Sequence, residues 1–416
     1  MKKNNKIIVF VLIFFYLTSV FPKVLISNDF EGVVVKGASF RSLVGKQLRE
    51  LRLFAIINNK ITSIPFQWDE IDSEGKYIYN NFPGTLSVND ELVFLFNDAG
   101  NKVSEKDSKS FLYEIKVKNY AGEERFVYLS TKELINISLN SDDFVSISSS
   151  HREIKGKNYI VKFFNDYQSI PGEYIFVTKD GKRINFMDKV KLDVKLKFFR
   201  FFKMNINEKS FVTKFLGSKD GPVRVLMGIK NSTKVVFNIP AFPVYFDVKF
   251  YPEYAVFPIT IDLPLKPDSL IINLENDFNN LYGWKLYTSC HNKNPFIING
   301  IPDDEERFHC SWWKWYSLSG KNMAFWMLGF FPTNFPVNMD LYLNDNKNFA
   351  TKNERYLGEV PGIGWHFESY GSVKKDIKHI SFKIYILFTK PYRYGDEKEI
   401  LGSILHPVKY FVNKLQ

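Results

Sequence analysis

Apolar and charged residues alternate with period two in many parts of this chain, and the clearest case is VKLDVKLKF, Val190 to Phe198. Apolar side chains at 190, 192, 194, 196 and 198 fall on one face of an extended backbone and the charges fall on the other. The run predicts a half-buried strand with one wet face. FLYEIKV (Phe111 to Val117) and ISFKIYILF (Ile380 to Phe388) repeat the pattern, the second with a more apolar outer face. Turn pairs such as Pro83-Gly84, Asp180-Gly181 and Asp220-Gly221 divide such runs at short intervals, and few segments carry helical spacing. The pattern predicts a mainly β protein, made of antiparallel sandwiches rather than a parallel α/β sheet.

The polar stretch SLNSDDFVSISSSHREIKGKN, Ser138 to Asn158, marks the domain boundary. It predicts a smaller N-terminal β domain over 28–145 and a larger C-terminal β domain over 146–416. No internal repeat is visible, which argues against propellers and solenoids. Ahead of both, residues 1–27 start with Lys2, Lys3 and Lys6 and continue as an apolar run from Ile7 to Tyr16. That order predicts a signal peptide, and so a secreted protein of the periplasm or cell envelope. No Ala-x-Ala site follows and Pro22 and Lys23 close the run, so an uncleaved N-terminal anchor is the alternative and the only membrane contact expected.

The net charge of +11 changes this picture little. Lysine is spread beside acids and no basic block or binding motif appears, so nucleic acid is not an expected partner. Lys189, Lys191, Lys195 and Lys197 share one strand face, which suits an acidic polysaccharide or lipid headgroups, or simply solvent. The neighbouring Phe198, Phe199, Phe201 and Phe202 are expected in the core.

Three places carry candidate chemistry. In IPFQWDEIDSEGKYIYN, Glu70, Asp72 and Glu74 alternate ahead of Gly75 and mimic the opening of a calcium loop. Asn81 stands where a bidentate Glu is needed, so the expectation is a solvated acidic turn. In GIGWHFESYG, a strand puts His366, Glu368 and Tyr370 on one face, where they suit acid–base work on a sugar ring; any two-faced strand gives the same alternation.

The third place, Ser289 to Gly320, holds the only two cysteines, Cys290 and Cys310. Exported cysteines so spaced are expected to form a disulfide. Zinc would need His291 and His309 as well, but adjacent strand residues face opposite ways, so no metal is assigned. Asp303, Asp304, Glu305 and Glu306 follow a turn, and Trp312, Trp313, Trp315 and Tyr316 come just after Cys310. Aromatic faces and carboxylates together suit a sugar-binding cleft; the same aromatics suit a sandwich core.

LRLFAIINNKITSIPFQWDEIDSEGKY with NDELVFLFNDAG, DGPVRVLMGI, YGWKLY and PYRYGDEKE resembles a set of uncharacterised exported bacterial β-rich proteins. The resemblance spans most of the chain after the leader and carries no functional residue with it. The DGPVR turn and SLSGKNMAFWMLG also resemble, at the level of fold, the β-supersandwich of galactose-mutarotase-like and polysaccharide-lyase proteins. That implies an architecture and leaves function to the site. The leading expectation is a non-enzymatic envelope protein that binds a glycan or another envelope component. The alternative is a carbohydrate-active enzyme of lyase or epimerase type, and a structural assembly subunit is the third. No cofactor is implied, and nothing in the sequence sets an oligomeric state.

Overall fold

The computed structural model describes residues 32–132, 135, 137–138, 140–163, 171–198, 202–207, 210–233, 243–262, 267–279, 281–302, 307–308, 314–331, 338–348, 361–369 and 379–416. The leader lies outside them. The chain is mainly β, with a smaller antiparallel region first and a larger pair of sheets after it.

The first region has two sheets. Glu91–Leu95 is the middle of three strands, between Gly32–Lys36 and Gln67–Asp69. The other sheet orders Lys409–Lys414, Tyr113–Lys118, Glu124–Thr131, Leu51–Ile57 and Lys60–Ser63. Its first member is the last strand of the chain, which pairs with Tyr113–Lys118. Alternate residues of both sheets, among them Val33, Val35, Leu53, Leu92, Phe94, Ile115 and Val127, meet in one core.

The larger region stacks a ten-stranded sheet on a nine-stranded one. The centre of the ten-stranded sheet is Asn338–Asn344, Gly362–Glu368, Ser269–Phe278 and Arg183–Phe198, each antiparallel to the next. Phe202–Asn207 folds back on the end of the long strand Arg183–Phe198. In the nine-stranded sheet, Val225–Thr233, Pro243–Phe250, Tyr254–Asp262, His379–Thr389 and Ala324–Phe330 lie side by side.

Period-two alternation decides which side chains meet between the layers. Trp365 and Phe367 of one sheet and Phe325, Ile386 and Phe388 of the other share the main core. Leu196, Phe198, Met204, Ile206 and Leu270 close a second cluster at one end of the stack. The helix Asp396–Leu405 carries Ile400 into a third with Trp315, Trp326 and Tyr392.

Candidate functional site

Because Ile363, Trp365 and Phe367 point into the core, His366 and Glu368 must point outward from the ten-stranded sheet. Register then sets their neighbours. Asp193 pairs with Asn273, Asn273 with His366, and His366 with Asp340, so four polar residues form one row across four strands. In the next row Lys191, Glu275, Gly364 and Tyr342 are aligned in the same way.

His366 Nδ1 is 2.6 Å from Asn273 Oδ1, and its Nε2 is 3.2 Å from Glu368 Oε2. A ring whose Nδ1–H donates to an amide oxygen keeps that proton, which leaves Nε2, beside the Glu368 carboxylate, as the nitrogen that can exchange one. Glu275 is 2 % exposed, and its Oε2 accepts a 2.8 Å hydrogen bond from the Tyr342 hydroxyl. Lys191 Nζ sits 2.8 Å from Asp277 Oδ2 and 3.7 Å from Glu275 Oε1. Burial pushes the Glu275 carboxyl up to about 7, against the opposing pull of Lys191 and the Tyr342 hydrogen bond.

Two glycines make this possible. A Cβ at Gly362 would stand 2.8 Å from Glu275 Oε1, and one at Gly364 would stand 2.3 Å from the Leu274 carbonyl oxygen and 2.9 Å from Glu275 Cα. The floor of the site, Lys191, Asp193, Glu275 and Asp277, is buried, while Asn273, Asp340 and Tyr342 on its rim are half-buried. A ligand reaching the rim meets amide, carboxylate and phenol groups within a few ångströms of a carboxyl that titrates near neutrality.

Of the three residues expected together here, His366 and Glu368 are in contact and Tyr370 lies outside the described residues. Asn273, Glu275, Asp277 and Tyr342 are the members that sequence pattern missed. Their only signal was that Asn273 and Glu275 alternate with Ile272 and Leu274 in LIINLENDF, a pattern many strands share and one that Asn276 breaks before Asp277. The expectation of a solvated lysine face needs correcting at Lys191, which is 5 % exposed and held between two carboxylates.

Of the expected aromatic cluster, the two described members, Trp315 and Tyr316, lie in different cores. Trp315 is 2 % exposed and packs on Trp326, with ring centroids 5.3 Å apart. Tyr316 is buried in the main core and its hydroxyl accepts a 2.6 Å hydrogen bond from Asn276 Nδ2. Trp312, Trp313, Asp303, Asp304, Glu305, Glu306 and Cys310 lie outside the described residues. Cys290 is disulfide-bonded and no cysteine among the described residues is free, while Cys310, the partner expected from the sequence, lies outside those residues. The turn at Cys290 is also held by Thr288, whose Oγ1 accepts from the backbone N–H groups of Cys290 at 3.2 Å and His291 at 3.1 Å.

The acidic run at 70–74 divides between two roles. Asp72 Oδ1 accepts from the backbone N–H groups of Glu74 and Lys76, both at 2.9 Å, and so closes an exposed turn. Asp69 and Glu70 are buried in a charged joint between the two regions. There Arg224 Nε donates to Asp69 Oδ2 at 2.7 Å, Nη1 to the Tyr251 hydroxyl at 2.9 Å and Nη2 to Glu91 Oε2 at 2.6 Å. Every guanidinium nitrogen is engaged, which makes this cluster a joint and leaves the ten-stranded face as the candidate site.

Comparison with protein-family models and with curated proteins finds no match. Among solved structures, a glycosyl hydrolase family 38 protein from Enterococcus faecalis aligns with 93 % of this chain and 46 % of its own, at 8 % identity and a TM-score of 0.53. An α-mannosidase from E. faecalis V583 aligns with 93 % of this chain and 45 % of its own, at 8 % identity and a TM-score of 0.49. A putative aldose 1-epimerase from Klebsiella pneumoniae aligns with 61 % of this chain and 82 % of its own, at 7 % identity and a TM-score of 0.30. The chain spans less than half the length of the two Enterococcus proteins. At this identity the likeness is one of fold alone: a β-rich architecture shared with the glycosyl hydrolase family 38 protein.

Proposed function

We propose that the outward face of the ten-stranded sheet is an acid–base site for a carbohydrate, and that the protein acts there as a lyase- or epimerase-type enzyme. The observation that carries this reading is Glu275, a buried carboxyl raised to about 7 beside the His366–Glu368 pair. A group that titrates near the working pH is suited both to give and to take a proton. Glu275 and His366 stand on neighbouring strands two positions out of register, a diagonal of roughly 7–8 Å between backbones that leaves room for part of a sugar ring.

One group removes a proton from a ring carbon or hydroxyl while the other returns a proton to the departing or ring oxygen. The net charge of the site is unchanged over the cycle. The half-buried rim of Asn273, Asp340, Tyr342 and Glu368 offers hydrogen-bond partners for sugar hydroxyls. Fold likeness to a glycosyl hydrolase family 38 protein supports the substrate class by analogy only. The leader pattern supports an exported location in the periplasm or envelope, to be tested by fractionation of cells.

The purified chain is to be incubated with envelope and plant polysaccharides and with free aldoses, reading unsaturated sugars, reducing ends and anomer interconversion. Turnover is expected, with at least a hundredfold loss in His366→Ala and in Glu275→Gln. Saturable glycan binding without turnover would leave a binding protein at the same face. Neither binding nor turnover would sink both readings.

A further inference from the structure

Period-two alternation puts Asp193, Lys195 and Lys197 on the same outward face as His366 and Glu368, because Val194, Leu196 and Phe198 between them turn inward. Register fixes where they stand. Glu368 pairs with Ile271, Ile271 with Lys195 and Lys195 with Asn205, so one row runs from Glu368 to the far edge of the face. Two strand spacings separate Lys195 from Glu368, about 10 Å between backbones. The next row holds Ser269, Lys197 and Lys203.

Lys197 and Lys203 face each other in direct register, an arrangement that destabilises a strand pair unless something neutralises it. Lys203 is exposed and Lys197 half-buried, and among the described residues no carboxylate or aromatic ring stands against either side chain. Lys195 has Asp193 Oδ2 at 3.6 Å and keeps 51 % of its side chain exposed. Asp193 is buried, so three lysines against the exposed Asp268 leave this end of the face positive toward solvent. The like pair on the opposite outer face, Lys214 and Lys230, differs, because Lys230 Nζ lies 5.3 Å from the centre of the Tyr245 ring.

We propose that the acid–base face takes an anionic glycan, whose carboxylate or sulfate groups bind Lys195, Lys197 and Lys203 while a neighbouring ring lies over Glu368 and His366. The inference rests on the reading of this face as the carbohydrate site and adds the charge of the substrate. Asn205 and Asn338 are exposed at the two ends of the Glu368 row and offer hydrogen bonds to an extended saccharide along its length. A membrane surface calls for outward apolar anchors, and Ile271 alone is apolar among the described residues of these two rows. A single-stranded nucleic acid calls for aromatic stacking platforms, and neither row has one among the described residues.

The test is titration of the full chain with polygalacturonate, dextran sulfate, unsubstituted dextran, single-stranded DNA and phosphatidylglycerol vesicles, at low and at high salt. One of the two anionic glycans is expected to bind at least about tenfold more tightly than dextran at low salt and to lose that margin at high salt. The tighter of the two identifies the bound group as carboxylate or sulfate. Lys203→Glu gives Lys197 an opposite charge across the strands, so it is expected to weaken the anionic glycan at least about fivefold while the melting temperature holds or rises. Lys203→Gln is expected to act in the same direction without reversing the charge. Lys214→Glu, on the opposite outer face, is expected to change binding by less than about twofold. Absence of glycan binding, equal affinity for dextran, unchanged binding in folded Lys203 variants or an equal loss in Lys214→Glu would overturn the proposal. DNA or vesicles bound as tightly as the anionic glycans would overturn it as well. Turnover of neutral sugars with no preference for anionic ones would overturn it and keep the acid–base reading. Anionic binding that Lys203→Glu weakens, without turnover of any sugar, would uphold it and remove the acid–base chemistry.

Discussion

Arg224 Nη2 lies 2.6 Å from Glu91 Oε2, a contact between residues 133 positions apart that joins the first region of the chain to the second. Arg224 is wholly buried, so the cost of removing its charge from water is met only by Asp69, Glu91 and Tyr251 together. Arg224→Met leaves two carboxylates without their cation. It is expected to cost about 3–5 kcal/mol by denaturant unfolding. A loss below about 1 kcal/mol would show that the joint contributes little to stability.

The same pair sets an acid limit. Burial pushes Glu91 up, but the Arg224 guanidinium and the Lys36 hydrogen bond outweigh it and hold the carboxyl at about 2. A carboxyl depressed in the folded state adds stability above its unfolded value, near 4.5, and loses it as pH falls through the folded value. Between pH 4.5 and 2 the chain is therefore expected to lose about 3 kcal/mol from this group. Glu91→Gln should start less stable at pH 7 and fall less over that window, as read by melting temperature against pH.

Glu275 works in the opposite sense. Its folded value near 7 lies above the unfolded one, so the folded state holds its proton longer and stability drops as pH rises from about 4.5 to 7. Glu275→Gln is expected to stabilise the protein by up to about 3 kcal/mol at pH 8, with no gain at pH 4. If Glu275 serves as the acid, turnover of the unaltered enzyme should also decline above pH 7. A variant no more stable at pH 8 than at pH 4 would remove Glu275 from the argument.

Gly364→Ala tests whether backbone approach builds the site. Its Cβ would stand 2.3 Å from the Leu274 carbonyl oxygen, a fixed atom of the neighbouring strand. A destabilisation of roughly 1–3 kcal/mol is expected from the forced shift, together with loss of glycan turnover or binding. Wild-type stability and unaltered glycan behaviour would contradict it.

Trp315→Ala distinguishes packing from recognition. Trp315 is buried against Trp326 and Tyr392, so its removal should cost about 3–5 kcal/mol in unfolding. Its effect on glycan affinity, measured where the variant is still folded, should be less than twofold.

Much of the fold was legible because alternation is a local property. VKLDVKLKF announced its two faces, and the structure puts Leu196 and Phe198 in a core with the lysines on the other side. GIGWHFESYG likewise announced that His366 and Glu368 share a face, since residues two apart on a strand must. QWDE, NDELV and DGPVR were visible as separate short runs, with no sign that Asp69, Glu91 and Arg224 meet.

By itself, then, the sequence determined the β class, the inward and outward faces of its strands and the local pairing of His366 with Glu368. Only the tertiary structure decided that Asn273, Glu275 and Tyr342 stand beside that pair, that Lys191 is buried, and that the last strand returns to the first region. The reason is physical: periodicity constrains which way a side chain points, whereas strand order and register, set by packing across hundreds of residues, decide what it points at. The titration of Glu275 near 7 belongs to that second kind of fact, since burial and neighbouring charge exist only once the sheets are assembled.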